Sequence, residues 1–232
     1  MKIMTFNTQH CLNYTTQEID FSVMAEAIKI CDPDIVGLNE MRGLGEEKGF
    51  KEQVEILASL TGFKYYYFGE AIKVRGNNPY GNGILSKYPF KSIEKIMIPD
   101  PQIKTGERHY ETRCIVKAFL DNGVSVLVSH FGLNRDEQKN AVKTVLENLE
   151  TEKCILMGDF NLRPENEMLN PLRAVMKDVS SIYEDPFFTF PSDNPVRKID
   201  YIFVSEDIEV CKAEIPRIIA SDHRPHTAEI LF

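Results

Sequence analysis

Apolar residues fall mostly into short runs along the chain: Ile3 to Phe6, Ile35 to Leu38, Tyr65 to Phe68, Ile84 to Leu85, Ile93 to Ile98, Cys114 to Leu120, Val124 to Val128, Cys154 to Met157, Ile199 to Val204, Val210 to Ile215 and Thr227 to Phe232. Their length and their content of β-branched and aromatic residues predict about eleven strands. Three segments carry the helical period instead. Val23, Ala27 and Ile30 share a face in Ser22 to Cys31; Val54, Leu57 and Ala58 do so in Lys51 to Leu60; Val142, Val145, Leu146 and Leu149 do so in Asp136 to Leu149. Asp32-Pro33-Asp34 stops the first helix, because proline disfavours helical geometry in the residue before it. Turns are expected at Gly76-Asn77-Asn78-Pro79, Asp121-Asn122-Gly123 and Pro191 to Pro195, and Gly81-Asn82-Gly83 reads as a hairpin turn. So many strands strain a single open sheet, so two packed sheets covered by helices are expected. No linker, repeat or low-complexity stretch interrupts the 232 residues, and 1–232 is expected to be one domain.

Composition narrows the function. Lys and Arg number 27 against 35 Asp and Glu, a formal net charge of −8, which disfavours a protein that coats nucleic acid. The five cysteines, at 11, 31, 114, 154 and 211, are odd in number and lack C-x-x-C spacing. Neither a zinc ribbon nor a complete disulfide framework is indicated, and a reducing compartment fits best. The opening MKIMTFNT reads as a strand with no apolar leader before it, and no apolar run could cross a bilayer. A soluble, cytoplasmic monomer is the expectation.

Polar residues unsuited to a core recur at the ends of these strands. Asn7 ends Met4-Thr5-Phe6-Asn7, Glu40 ends the run through Leu38-Asn39-Glu40, and His130 ends Val128-Ser129-His130. Asp159 and Asn161 follow in Gly158-Asp159-Phe160-Asn161, Asp200 opens Asp200-Tyr201-Ile202-Phe203, and Ser221-Asp222-His223-Arg224-Pro225 precedes the last strand. Strand-end loops on a rigid sheet are where catalytic groups collect.

Taken in order, TFN, LNE, GNGILS, SHFG, GDFN, IDYIF and SDHRP resemble the endonuclease/exonuclease/phosphatase superfamily, whose members include pancreatic deoxyribonuclease, abasic-site endonucleases, bacterial sphingomyelinases and inositol polyphosphate 5-phosphatases. The resemblance runs from Thr5 to His223. It implies a four-layer α/β/β/α sandwich of two mixed sheets flanked by helices, and metal-dependent hydrolysis of phosphoesters. It makes Glu40 the principal Mg²⁺ ligand with Asn7 beside it, Mn²⁺ being a substitute, and Asp222 a ligand for the metal or for its water. Mg²⁺ is hard and prefers oxygen, and it usually takes only one or two protein carboxylates. Asp159 would orient or deprotonate the attacking water, and Asn161 would hold that water or a phosphate oxygen. His223 matches the catalytic histidine, and Asp200 the carboxylate that fixes and charges its ring. His130 would donate to the scissile phosphate. Glu111 and Arg113 resemble a segment that braces His130 and approaches the phosphate, with cross-strand charge pairing as the alternative. A phosphate contact for Asn82 competes with its reading as a turn residue.

The implied partner is a phosphoester, small or locally recognised. Two rivals stand beside it: an endonuclease or exonuclease on nucleic acid, and a catalytically silent scaffold that binds in the same cleft. Lys73, Arg75, Lys87, Arg163, Arg197, Lys198 and Arg224 could hold phosphates locally despite the acidic total. Tyr65-Tyr66-Tyr67-Phe68 reads as sheet packing in preference to a platform for bases.

Overall fold

The structure, a computed structural model, describes residues 1–232. Twelve strands form: β1 (Lys2–Asn7), β2 (Ile35–Arg42), β3 (Tyr65–Val74), β4 (Asn78–Ser86), β5 (Phe90–Met97), β6 (Cys114–Leu120), β7 (Ser125–His130), β8 (Cys154–Asp159), β9 (Lys177–Asp178), β10 (Asp200–Val204), β11 (Glu209–Glu214) and β12 (His226–Leu231). Four α-helices accompany them: α1 (Phe21–Cys31), α2 (Gln53–Thr61), α3 (Arg135–Leu146) and α4 (Asn170–Arg173). The strands make two six-stranded sheets, ordered β11-β12-β1-β2-β4-β3 and β5-β6-β7-β8-β10-β9. Each sheet has one parallel pair at its centre, β1 with β2 and β7 with β8, and is otherwise antiparallel.

The layers follow from where the apolar side chains go. Ile3, Ile35, Val116, Val126, Val128, Ile155, Met157 and Ile202 face one another between the sheets. The opposite faces of the same strands put Met4, Phe6, Val36 and Leu38 under α1 and α2, and Leu127, Leu156, Tyr201 and Phe203 under α3 and α4. Strands covered on both faces carry unbroken apolar runs, which is why β1, β2, β8 and β10 were legible without alternation. The expected α/β/β/α sandwich of two mixed sheets is thus the observed architecture.

Local chemistry fixes the ends. The Asp20 carboxylate accepts from the N–H groups of Ser22 and Val23 at the start of α1, and Asp32 closes it in a left-handed conformation at φ +44° before Pro33. The α3 helix stops at Leu146, so Leu149 packs from the following turn. Gly81-Asn82-Gly83 is not a hairpin turn. It lies inside β4, and the chain reverses at Arg75 and Gly76, where φ is +44° and +93°. The glycines at 81 and 83 serve close packing: a Cβ on Gly81 would stand 2.0 Å from the Gly69 carbonyl oxygen of the neighbouring strand. Tyr65 to Phe68 belong to the edge strand β3, with Tyr67 and Phe68 packed against the cores. All five cysteines are unpaired, and no helix is long and apolar enough to cross a membrane.

Gly158 carries the sharpest steric demand, with φ +146° and a Cβ that would fall 1.7 Å from the Ser129 carbonyl oxygen. Backbone cannot yield as a flexible side chain does, so Gly158→Ala should cost more than about 3 kcal/mol. Thermal unfolding should register this as a drop of roughly 6–12 °C, and an unchanged midpoint would show that β7 and β8 are not held this closely.

Candidate active site

Strand register alone assembles the site. Asn7 pairs with Asn39 at the ends of β1 and β2, His130 with Asp159 at the ends of β7 and β8, and Asp200 with Asp159 across β10. The carboxyl ends of both central parallel pairs therefore open onto one cleft, the crevice where parallel sheets generally present ligand-binding groups. At Glu40 the pairing of β2 with β4 slips, and the residue sits at φ +61°; Asn161 adopts φ +51°. Bulges re-aim side chains, and positive φ at a glutamate is strain that functional sites tend to hold.

Asp159 is the hub. Its Oδ1 accepts from the Asn161 N–H at 2.9 Å, and its Oδ2 accepts from Asn7 Nδ2 at 3.1 Å. The same Oδ2 lies 3.5 Å from His130 Nε2 and 3.7 Å from His223 Nε2. Burial, with Asp200 adding to it, pushes the Asp159 carboxyl up to about 7. His223 donates from Nδ1 to Asp200 Oδ2 at 2.8 Å. Burial opposes its charge, but Asp200 and Asp159 outweigh burial and raise its pKa to about 10, so the ring is an imidazolium at neutral pH.

The second histidine is the opposite case. Burial, then the neighbouring Arg113 and His223 charges, hold His130 well below its ordinary value. Arg113 donates from Nη1 to His130 Nδ1 at 3.0 Å, and since a guanidinium only donates, the neutral ring keeps its hydrogen on Nε2. That hydrogen faces Asp159 Oδ2 at 3.5 Å, while the nearby Asn161 Nδ2 is a donor engaged with the Phe131 carbonyl and does not accept it. Arg113 is also ion-paired with Glu111 at 2.6 Å. The segment before β6 is irregular, so the pair is a local loop contact and not a cross-strand one. The start of α3 pins it: Glu137 Oε1 accepts from the Glu111 N–H, and Asn134 Oδ1 from the Arg108 N–H.

Two of the expected residues are already held by hydrogen bonds within the protein. Asn7 turns its NH₂ toward Glu40 Oε1 (3.0 Å) and Asp159, while its oxygen accepts from the Gln9 N–H, so it bridges two carboxylates; ligation through oxygen would require the amide to turn over. Asn82 takes a hydrogen bond from Asn39 and donates to the Cys114 carbonyl, so both ends of its amide brace the sheets, and a substrate contact would compete with that. Asn39 is the residue the motif reading passed over. It accepts from the Asp159 N–H at 2.9 Å and donates to the Ser129 carbonyl at 3.1 Å, joining one sheet to the other directly under the hub. Its only signal was its place in Leu38-Asn39-Glu40, an amide where a buried strand wants an apolar residue.

The donor set suits a hard divalent cation. Asp159, Asp200 and His223 bring polar atoms within 4.8 Å of one another, but the charged His223 ring has no free lone pair, so the ligands here would be carboxylate oxygens. Asp222, pushed up by burial, senses Glu40, and Glu40 is half-exposed and linked to Asp159 through Asn7. Asp200, Asp159 and Asp222 surround the His223 ring and Glu40 is reached through Asn7, an oxygen-rich set suited to Mg²⁺ or Mn²⁺. Beside Glu40 a cavity of about 600 Å³ is lined by Arg42, Phe50, Lys73, Arg75, Tyr80, His109 and Glu111. Of the cations noted in the sequence, Lys73 and Arg75 reach it. Lys87 instead pairs with Asp32 and Asp34, and Lys198 is buried against Asp178.

The site is a cluster of carboxylates, amides and histidines at the convergent strand ends of a two-sheet sandwich. The family model of the Endonuclease/Exonuclease/phosphatase family matches residues 4–223, and the chain belongs to that family. Family members are hydrolases of phosphoesters. No curated protein is similar enough to match the chain. Among solved structures, an endonuclease/exonuclease/phosphatase from Beutenbergia cavernae superposes with a TM-score of 0.80 at 20% identity, covering 99% of this chain and 71% of that one. A mannosyl-6-phosphatase from Bacteroides thetaiotaomicron gives 0.78 at 16% identity, covering 100% of both chains. The human Nocturnin catalytic domain gives 0.69 at 16%, covering 100% and 94%.

The 2.8 Å Asp200–His223 contact makes a specific demand on kinetics. If Asp200 acts by charging and aiming His223, then Asp200→Asn combined with His223→Ala should be little worse than His223→Ala alone. Losses in kcat/KM that multiply would mean the two residues act independently.

Proposed function

We propose that the protein is a Mg²⁺- or Mn²⁺-dependent phosphoesterase that hydrolyses a small or locally recognised phosphodiester or phosphomonoester. The observation that carries this reading is the hub at Asp159, which touches a neutral and a charged histidine on one side and, through Asn7, Glu40 on the other. Hydrolysis needs a positioned water, charge stabilisation at phosphorus and a route for protons, and the cluster has a group for each. Asp159, with its carboxyl raised to about 7, is tuned to orient or deprotonate water near neutral pH, and Asn161 fixes that water or a phosphate oxygen. His130 donates from Nε2 to a non-bridging oxygen and stays neutral because it is buried and Arg113 occupies Nδ1. His223, charged and held by Asp200, stabilises the growing negative charge or protonates the departing oxygen. Glu40 would hold the cation, with Asn7 beside it and Asp222 facing it; the bound cation supplies Lewis-acid stabilisation at the phosphoryl group.

The retained cluster argues against a silent scaffold, since every group that the chemistry needs is present and mutually in reach. The net charge of −8 argues against a duplex tracker, and the relative named as a mannosyl-6-phosphatase supports a small ester. A monomeric 1–232 catalytic domain working in the reducing cytoplasm accords with five unpaired cysteines.

Glu40→Gln keeps the shape of the side chain and removes the charge a cation needs. Its activity should fall by about two or more orders of magnitude and recover in part at high Mg²⁺ or Mn²⁺. Wild-type activity that persists in excess chelator would overturn metal dependence.

A further inference from the structure

The cavity beside Glu40 has a feature that the reaction does not use. Arg42 ends β2 with its guanidinium half-buried, its Cζ 4.5 Å above the ring centre of Phe50, itself 4% exposed. The Arg42 backbone N–H is anchored on Gln53 Oε1 at 2.9 Å, and Gln53 also holds the His10 carbonyl. The guanidinium itself has no salt-bridge partner and donates no hydrogen bond within the protein. Partly desolvated cations are normally paired, and a guanidinium fixed on an aromatic face presents a fork matched to a carboxylate or phosphate.

The surrounding charges point the same way. Lys73 and Arg75 stand at the mouth, and His109 borders the cavity as well. Glu40 and Glu111 also border it, but Glu40 accepts from Asn7, and Glu111 is ion-paired with Arg113. Arg75 leans on Glu47 at 3.5 Å in an exposed pair, a weak tie that solvent screens. The cavity of about 600 Å³ is large enough for a group the size of a sugar.

We propose that this cavity is a second anion subsite: resting on the phosphoesterase reading, it selects substrates whose non-reacting part carries another phosphate or carboxylate, gripped by Arg42 and drawn in by Lys73. The class is a doubly anionic phosphoester, such as a sugar bisphosphate or a phosphorylated sugar acid.

The test is competition against hydrolysis of p-nitrophenyl phosphate and bis(p-nitrophenyl) phosphate with Mg²⁺ or Mn²⁺. Glucose 6-phosphate, 6-phosphogluconate and glucose 1,6-bisphosphate share a six-carbon skeleton phosphorylated at C6 and differ at C1, which is neutral, a carboxylate or a phosphate. At least one of the two doubly anionic compounds should bind roughly tenfold or more tightly than glucose 6-phosphate, and which one does so distinguishes carboxylate from phosphate. That ratio should fall toward one in Arg42→Gln, and fall in part in Lys73→Glu, an exposed position whose replacement does not threaten folding. Equal inhibition constants for all three compounds, or a preference that survives both variants, would overturn the subsite alone. No turnover of either nitrophenyl ester would overturn the phosphoesterase reading and the subsite together.

Discussion

The buried amide of Asn39 is the constraint on which the site depends. It lies between the two sheets, accepting from the Asp159 N–H and donating to the Ser129 carbonyl and to Asn82, which reaches on to the Cys114 carbonyl. Apolar packing between sheets fixes their spacing but is tolerant of sliding. Directional hydrogen bonds are not, and a buried amide left without them would cost about 1–3 kcal/mol per unsatisfied group. The clamp sets the register of one sheet on the other at the point where Asn7 and Glu40 from one must meet Asp159 and His130 from the other.

Electrostatics then separates two histidines that the sequence presents alike. Both are nearly fully buried, and burial alone would keep both neutral. His223 is charged because two carboxylates face its two nitrogens; His130 stays neutral because burial is reinforced there by the guanidinium on its Nδ1. One buried carboxylate, Asp159, lies within 4 Å of both rings. The pair thus offers a donor without charge and a donor with charge on one side of the cleft, while the carboxylate excess lies around Glu40 and Asp222.

Much of this was legible in the chain because buried parallel strands announce themselves as unbroken apolar runs, and a polar residue closing such a run stands out. Asn7, Glu40, His130 and Asp159 stand out that way, Asp200 opens such a run and His223 lies just before one, and the fold brings all six together. What escaped was what depends on partners distant in sequence. Asn39 has no signature apart from its neighbours; Gly81-Asn82-Gly83 mimics a turn because close strand packing and tight turns both call for glycine; and the direction of the Asn7 amide is decided by Gln9. The two-residue β9 is too short to carry a pattern. The unpaired Arg42 could not be told from a paired one until Phe50 and Gln53 were placed beside it.

The central claim is that Asp200 and Asp159 keep the buried His223 ring charged at neutral pH. Nitrogen-15 NMR of the imidazole ring in the metal-free protein reads this directly. The account predicts a doubly protonated His223 through pH 8 that loses its proton only toward about 10, and a much lower transition in Asp200→Asn. A wild-type His223 that titrates near its ordinary value, or a transition unmoved by Asp200→Asn, would contradict it.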